Sequence, residues 1–193
     1  FHYYGIADLT INNVEKDDHS LVAQLTTEER VKHIVKNINF YKNTSEPNRG
    51  LIFCSRKEEA DKLSILLNKK GFHTVALHSD NSDEQLREQR ISELEDPNNP
   101  LEYIISVDIL NEGIDIPSVN QVIFLRPTKS SIVYIQQLGR GLRKEENKSY
   151  LTVLDFIGNY ENNYMIPIAL FGDNSMNKDN LRNKLSKRSS YIP

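Results

Sequence analysis

Residues 50–77 read GLIFCSRKEEADKLSILLNKKGFHTVAL, and their pattern decides the fold. The apolar run 51–54, entered from Gly50, is typical of a strand covered on both faces. Ser55 with Glu58 three residues on has the form of a capping box, and Ala60, Leu63, Leu66 and Leu67 then recur at helical spacing. Gly71 stands where a helix end wants a left-handed residue, and 74–77 is a second strand. A strand, a helix and a second strand in one short stretch form a β-α-β unit, which joins parallel neighbours by a right-handed crossover.

The alternation continues on both sides. Downstream, Ser82 with Gln85 predicts a helix through about Leu94, ended by Pro97 and Pro100. Strands follow at 103–107, 122–125 and 151–154, with a helix at about 131–138. Upstream, Thr26 with Glu29 predicts a capping box, and Val31, Ile34, Val35 and Ile38 mark a helix that fades near Tyr41. Residues 1–25 are polar and irregular and read as a connecting segment. The chain then divides into that segment, a leading helix and loop at 26–47, one α/β domain at 48–156, and a helical extension and basic tail at 157–193. The expectation is a mainly parallel sheet flanked by helices in three layers. A first residue of Phe rather than Met predicts a piece of a longer protein, and the basic tail predicts a further domain.

The 193 residues, 38% hydrophobic and 26% charged, suit a soluble globular protein. No apolar run reaches the ~18 residues that cross a bilayer, and the start lacks the features of a secretion signal. With one cysteine, Cys54, no internal disulfide is available, which predicts a cytoplasmic setting and a buried, inert thiol. His2, His19, His33, His73 and His78 show no ligand spacing, so no metal site is predicted. The net charge of −3 argues against bulk attraction to nucleic acid. Any such contact must be local, through a few backbone donors and basic side chains.

In parallel α/β sheets, ligands meet the loops at the carboxyl ends of the strands. Two segments there carry chemistry. Residues 106–117, SVDILNEGIDIP, hold Gly113, which permits close approach of a ligand, and Asp115, an acceptor suited to ribose hydroxyls. Taken alone they also fit an ordinary turn. Residues 136–143, QQLGRGLR, place Arg140 and Arg143 one helical turn apart, so both guanidinium groups share a face. Guanidinium matches phosphate oxygens bidentately, and Gly139 and Gly141 leave room for a large ligand. Taken alone this too fits a solvated basic turn.

In order, spacing and placement the two segments resemble motifs V and VI of superfamily-two helicases. Gln136, Gly139, Arg140 and Arg143 match motif VI without a gap, and Gly113 and Asp115 match the end of motif V. The stretch from Leu51 to Arg56 is similar to motif IV. Residues 76–80, followed by Gln85 and Arg90, resemble the motif between IV and V, with Ser79 where the family has glycine. The resemblance covers about 48–156 and implies the C-terminal RecA-like lobe of an ATP-dependent helicase or translocase. Gln136, rather than His, looks more like DEAH and restriction-type helicases than DEAD-box RNA helicases. Residues 153–164, VLDFIGNYENNY, resemble bacterial helicases related to type III restriction subunits, and so point to duplex DNA.

The resemblance implies roles. Arg140 and Arg143 would be arginine fingers, an effect worth about 10³–10⁵ in rate, or roughly 4–7 kcal/mol. Gln136 and Gly139 would seat the nucleotide, and Gly113 and Asp115 would meet it near the ribose. Ser55, Arg56, His78 and Ser106 would line the nucleic-acid path and contact its backbone; His78 reads equally well as a hydrogen-bonded structural histidine. The sequence has neither a phosphate-cradling Gly-rich loop with lysine nor an Asp-Glu-x-His run to hold Mg²⁺. Those parts, with the metal, are expected on an N-terminal RecA-like lobe that pairs with this one, and residues 1–193 alone are expected to be inactive. A dehydrogenase-like nucleotide fold would need a glycine-rich turn after the first strand, where CSRK stands. The remaining alternative is a catalytically inactive helicase-like module for regulation or protein interaction.

Overall fold

The computed structural model describes residues 2–9, 18–110, 116–126 and 150–157. Along the chain these form β1 (His2–Ala7), α1 (Asp18–Leu25), α2 (Glu28–Tyr41), β2 (Gly50–Phe53), α3 (Lys57–Asn68), β3 (Thr74–Leu77), α4 (Glu84–Glu95), β4 (Tyr103–Ser106), β5 (Gln121–Phe124) and β6 (Thr152–Ile157). The strands make one six-stranded sheet in the order β1-β6-β5-β2-β4-β3, and every pairing is parallel. The helix at 131–138 and the tail after residue 157 lie outside the described residues.

Parallel sheets are stable when both faces are covered, and the side-chain period of two divides each strand between them. Leu51, Phe53, Ile104, Val122, Phe124 and Val153 pack on one face with Ile91 and Leu94 of α4. Ile52, Cys54, Ile105, Ile123, Leu154 and Phe156 pack on the other, against Val31, Ile34 and Ile38 of α2 and Ala60, Leu63 and Leu67 of α3. The result is helix, sheet, helix. Gly71 adopts φ +90°, the left-handed conformation anticipated after α3.

The amino-terminal stretch departs from the irregular segment read in the sequence. His2–Ala7 is an edge strand, paired in register with Thr152–Ile157 of β6. Tyr3, Tyr4 and Ile6 are good strand formers, and Tyr4 stacks on Tyr41 of α2 with ring centroids 4.1 Å apart. Helix α1 follows, burying Val22 and Leu25.

The helix starts also move. Thr27, not Thr26, caps α2 by accepting the Arg30 N–H, while the Thr26 hydroxyl donates to the Val22 carbonyl at 2.7 Å. Asp83 caps α4, accepting the Leu86 N–H at 2.8 Å, and the Ser82 hydroxyl donates to the His78 carbonyl. At α3 the cap position is Arg56, with no side-chain cap bond. Glu59, not Glu58, reaches back there, accepting the Ser55 N–H at 3.1 Å.

Gly50 opens β2 against the ring of Tyr103. A Cβ at this position would overlap Tyr103 Cε1 and Cδ1. The ring cannot retreat easily, because it is fully buried and its hydroxyl donates to Gln121 Oε1 at 2.7 Å. Gly50→Ala is therefore expected to destabilise by about 1–3 kcal/mol, as overpacked cores do. Urea unfolding reads this directly, and a midpoint equal to that of the parent would contradict it.

Candidate functional site

The carboxyl ends of four strands lie side by side. Leu77 pairs with Ser106, Ser106 with Phe53, and Phe53 with Phe124. The ladder runs one residue further, with Cys54 N–H donating to the Ser106 carbonyl, Val107 N–H to Leu77 and Leu125 N–H to Phe53. Neighbouring strands lie about 4.8 Å apart, so the loops after β3, β4, β2 and β5 open along a front of about 15 Å.

Of the residues singled out in the sequence, Ser55, Arg56, His78 and Ser106 all stand on this front, but their exposure differs. Ser55 is exposed and Arg56 half-buried, in the turn between β2 and α3. His78 is 4% exposed, and its Nε2 lies 3.1 Å from both carboxylate oxygens of Asp61. Asn81 adds a side-chain acceptor for the His78 backbone N–H at 2.9 Å. Ser106 is fully buried at the end of β4, on the same face as Ile104, and its hydroxyl has no hydrogen-bond partner among the described residues. Gly113, Asp115, Gln136, Gly139, Arg140 and Arg143 lie outside the described residues.

An ion pair that the sequence did not reveal crosses this front. Arg126, two residues past β5, pairs with Asp108, two residues past β4, over the exit of β2 that lies between them. Asp108 adopts φ 59°, a left-handed conformation that aspartate tolerates better than most residues. The one signal in the sequence was a charged residue directly after an apolar strand.

Behind the β2–α3 turn lies a second unforeseen group. Arg30 of α2 donates to Asp8 from Nε at 3.1 and 3.0 Å and from Nη2 at 2.7 Å. Its Nη1 donates to Glu59 Oε1 at 3.3 Å and to the Leu25 carbonyl at 2.8 Å. The side chains of Arg30, Asp8 and Glu59 are 1%, 1% and 0% exposed. Burial pushes the Glu59 carboxyl upward, against the opposing effect of Arg30 and of the Ser55 and Arg56 backbone. Burial likewise pushes the Cys54 thiol well up, so it stays a protonated, packed side chain.

Among the described residues no three His, Cys, Asp or Glu side chains come together as a metal site. No helix among them is long and apolar enough to cross a membrane.

Comparison with known proteins identifies the family. Residues 29–145, well over half of the chain, match the helicase conserved C-terminal domain. The chain belongs to this family. The match spans the front described above and both segments, 106–117 and 136–143. It is 30% identical over 155 residues to the candidate ATP-dependent helicase IRC3 of Saccharomyces cerevisiae, covering 79% of this chain and 22% of that protein. A candidate ATP-dependent RNA helicase of Methanocaldococcus jannaschii is 32% identical over 127 residues, covering 64% of this chain and 16% of that one. The chain thus spans about a fifth of the length of these curated relatives. Among solved structures, the ATP-dependent Type ISP restriction-modification enzyme LlaBIII bound to DNA superposes with a TM-score of 0.53 at 28% identity, covering 72% of this chain and 10% of that one. The all-parallel three-layer sheet is that of RecA-like helicase lobes.

Asp155 is the buried acid of this helicase lobe that no cation accompanies among the described residues. It shares a face with Val153, accepts the Tyr3 hydroxyl at 2.8 Å, and burial raises its pKa to about 6. An unfolded aspartate titrates near ~3.9, so between about pH 4 and pH 6 the folded state holds the extra proton. Stability contributed at this position is present at low pH and is lost as pH rises through about 6. Asp155→Asn keeps the acceptor for Tyr3 and removes the charge. At pH 7.5 the variant is expected to be more stable by up to about 2–3 kcal/mol, with a flatter pH profile below 6. Denaturant melts at both pH values measure this, and a variant less stable than its parent at pH 7.5 would refute it.

Proposed function

We propose that this domain is the second lobe of an ATP-dependent nucleic-acid translocase or helicase acting on duplex DNA. The observation that carries the reading is the family match through residues 29–145, which takes in the segments holding Gly113, Asp115, Gln136, Gly139, Arg140 and Arg143. In this reading Arg140 and Arg143 meet the γ-phosphate of ATP and stabilise charge that develops as it transfers. Gln136 and Gly139 seat the nucleotide, and Gly113 and Asp115 lie near its ribose. Mg²⁺ and the phosphate-cradling loop belong to a partner N-terminal lobe, so residues 1–193 alone turn over no ATP.

The burial pattern divides the work on the nucleic-acid side. Ser55 and Arg56, on the open turn, make direct contacts to the sugar-phosphate backbone. His78, tied to Asp61, and Ser106, enclosed at the end of β4, hold the loops that carry those contacts. ATP binding draws the two lobes together through the arginines; hydrolysis removes the attraction, and the cleft reopens with the strand held on this lobe. Duplex DNA is favoured by the likeness to a restriction-modification enzyme bound to DNA, and RNA by the names of several relatives.

In the full chain, Arg143→Ala is expected to leave ATP binding largely intact while lowering turnover by about 10³-fold or more. Duplex DNA is expected to stimulate the parent enzyme more than RNA of the same sequence. An unchanged kcat in the variant would remove the arginine-finger role, and stronger stimulation by RNA would remove the DNA assignment.

A further inference from the structure

The amino terminus of α3 is where a backbone phosphate would ordinarily find free amide donors. Here the two amides that enter the helix, those of Ser55 and Arg56, are engaged. Glu59, one turn into the same helix, accepts the Ser55 N–H at 3.1 Å and a backbone bond from Arg56. An internal carboxylate thus stands where an external anion would bind. A phosphate approaching the Ser55–Arg56 turn is therefore met by the Ser55 hydroxyl and the Arg56 guanidinium rather than by these two amides, and the aim of those side chains depends on how firmly the turn is fixed.

The fixing extends well beyond α3. Glu59 is fully buried, and its other oxygen is held by Arg30 of α2. Arg30 is in turn gripped through two of its nitrogens by Asp8, directly after edge strand β1. Its Nη2 also reaches the Leu125 carbonyl after β5 at 3.5 Å. One guanidinium therefore ties the exits of β1 and β5 and the start of α3 to the turn between β2 and α3.

We propose that the buried Asp8–Arg30–Glu59 chain is a positioning device that sets the aim of the Ser55–Arg56 turn, and so the grip of this lobe on the nucleic-acid backbone. The inference rests on the reading of Ser55 and Arg56 as backbone contacts. Glu59 and Arg30 touch no nucleic acid; they act through the turn. A merely structural role would lower stability and leave nucleic-acid affinity alone.

Glu59→Gln is the informative variant. It keeps the shape of the side chain and leaves Arg30 paired with Asp8, so the interior still holds one cation and one anion. It weakens the acceptor facing the Ser55 and Arg56 amides. In the full chain, ATPase is titrated with duplex DNA and, in parallel, with RNA. The nucleic-acid concentration giving half-maximal stimulation is expected to rise about fivefold or more, the scale of one oriented contact, while turnover at saturating nucleic acid stays close to that of the parent. Glu59→Ala is expected to raise it further; if that variant does not fold, Glu59→Gln carries the test. Arg56→Ala separates the two claims. If Arg56→Ala weakens binding and neither Glu59 variant does, the positioning role is wrong and the contact stands. If Arg56→Ala also leaves binding unchanged, the contact itself is wrong and the positioning role goes with it. Tighter binding by Glu59→Ala, from amides released to capture phosphate, would overturn the proposal as well.

Discussion

A guanidinium that is 1% exposed and held between two buried carboxylates is an expensive thing to fold. Each charge loses several kcal/mol of hydration, and only close geometry recovers it. The arrangement around Arg30 meets that demand with Asp8, Glu59 and two backbone carbonyls, those of Leu25 and Leu125. Taking away Arg30 would leave two carboxylates uncompensated in the interior, which costs more than the network ever returns. The constraint therefore acts on placement. Asp8, Arg30 and Glu59 come from separate parts of the chain, and each carboxylate must arrive within hydrogen-bond reach of Arg30 to be tolerated. The carboxyl end of the sheet is held in one arrangement for this reason, and the turn bearing Ser55 and Arg56 is part of it.

The parallel sheet decides where such an arrangement has consequences. Both of its faces are covered mainly by apolar side chains, with Asp155 of β6 a buried exception, so most polar chemistry lies at the strand ends. At the carboxyl end, four strands finish in register and deliver Ser55, His78, Ser106, Asp108 and Arg126 to one front. At the other end Arg49 closes the loops, donating to the carbonyls of Leu101, Asp96 and Asn99. The two rims are built differently. The amino rim uses a cation to satisfy backbone carbonyls, as structural ends do. The carboxyl rim keeps an exposed turn, a left-handed aspartate and an ion pair arching over a strand exit.

How much of this was legible in sequence depends on the range of the interaction. The β-α-β unit at 50–77 was readable because its signals are local: an apolar run, a helical repeat and Gly71, whose φ of +90° only glycine adopts freely. Strand positions agreed to within a residue for β2 to β5, while β6 runs three residues past the expected end at 154. Caps shifted by a residue because Thr26 and Thr27, or Ser82 and Asp83, offer equivalent side chains, and tertiary neighbours choose between them. Strand β1 was missed because HYYGIA carries a glycine and two half-polar tyrosines, and only pairing with β6, some 150 residues on, makes it a strand. The resemblance singled out Ser55, Arg56, His78 and Ser106, and the structure sets all four at the carboxyl ends of the strands. Their burial was not legible. Whether His78 faces solvent or Asp61 is settled by a contact across 17 residues. Asp8, Arg30 and Glu59 left no pattern at all, since 22 and 29 residues separate the partners.

On the proposed reading, the net charge of −3 limits how this lobe would engage nucleic acid. With no general positive field, attraction at a distance is weak, and binding must come from a few contacts made at short range. The sequence alone allowed those contacts to be backbone amides or basic side chains. The structure narrows the choice at the Ser55–Arg56 turn, because Glu59 already takes its two amides. What remains there are side chains, whose reach is longer and whose orientation is looser than that of a helix terminus. Side chains give a firm grip only from a rigid base, since the entropy of holding them is otherwise charged against each contact. A buried ion network directly beneath the turn supplies that base. In the proposed translocase, rigidity would substitute for charge and let an acidic lobe hold an acidic polymer through a few short-range contacts.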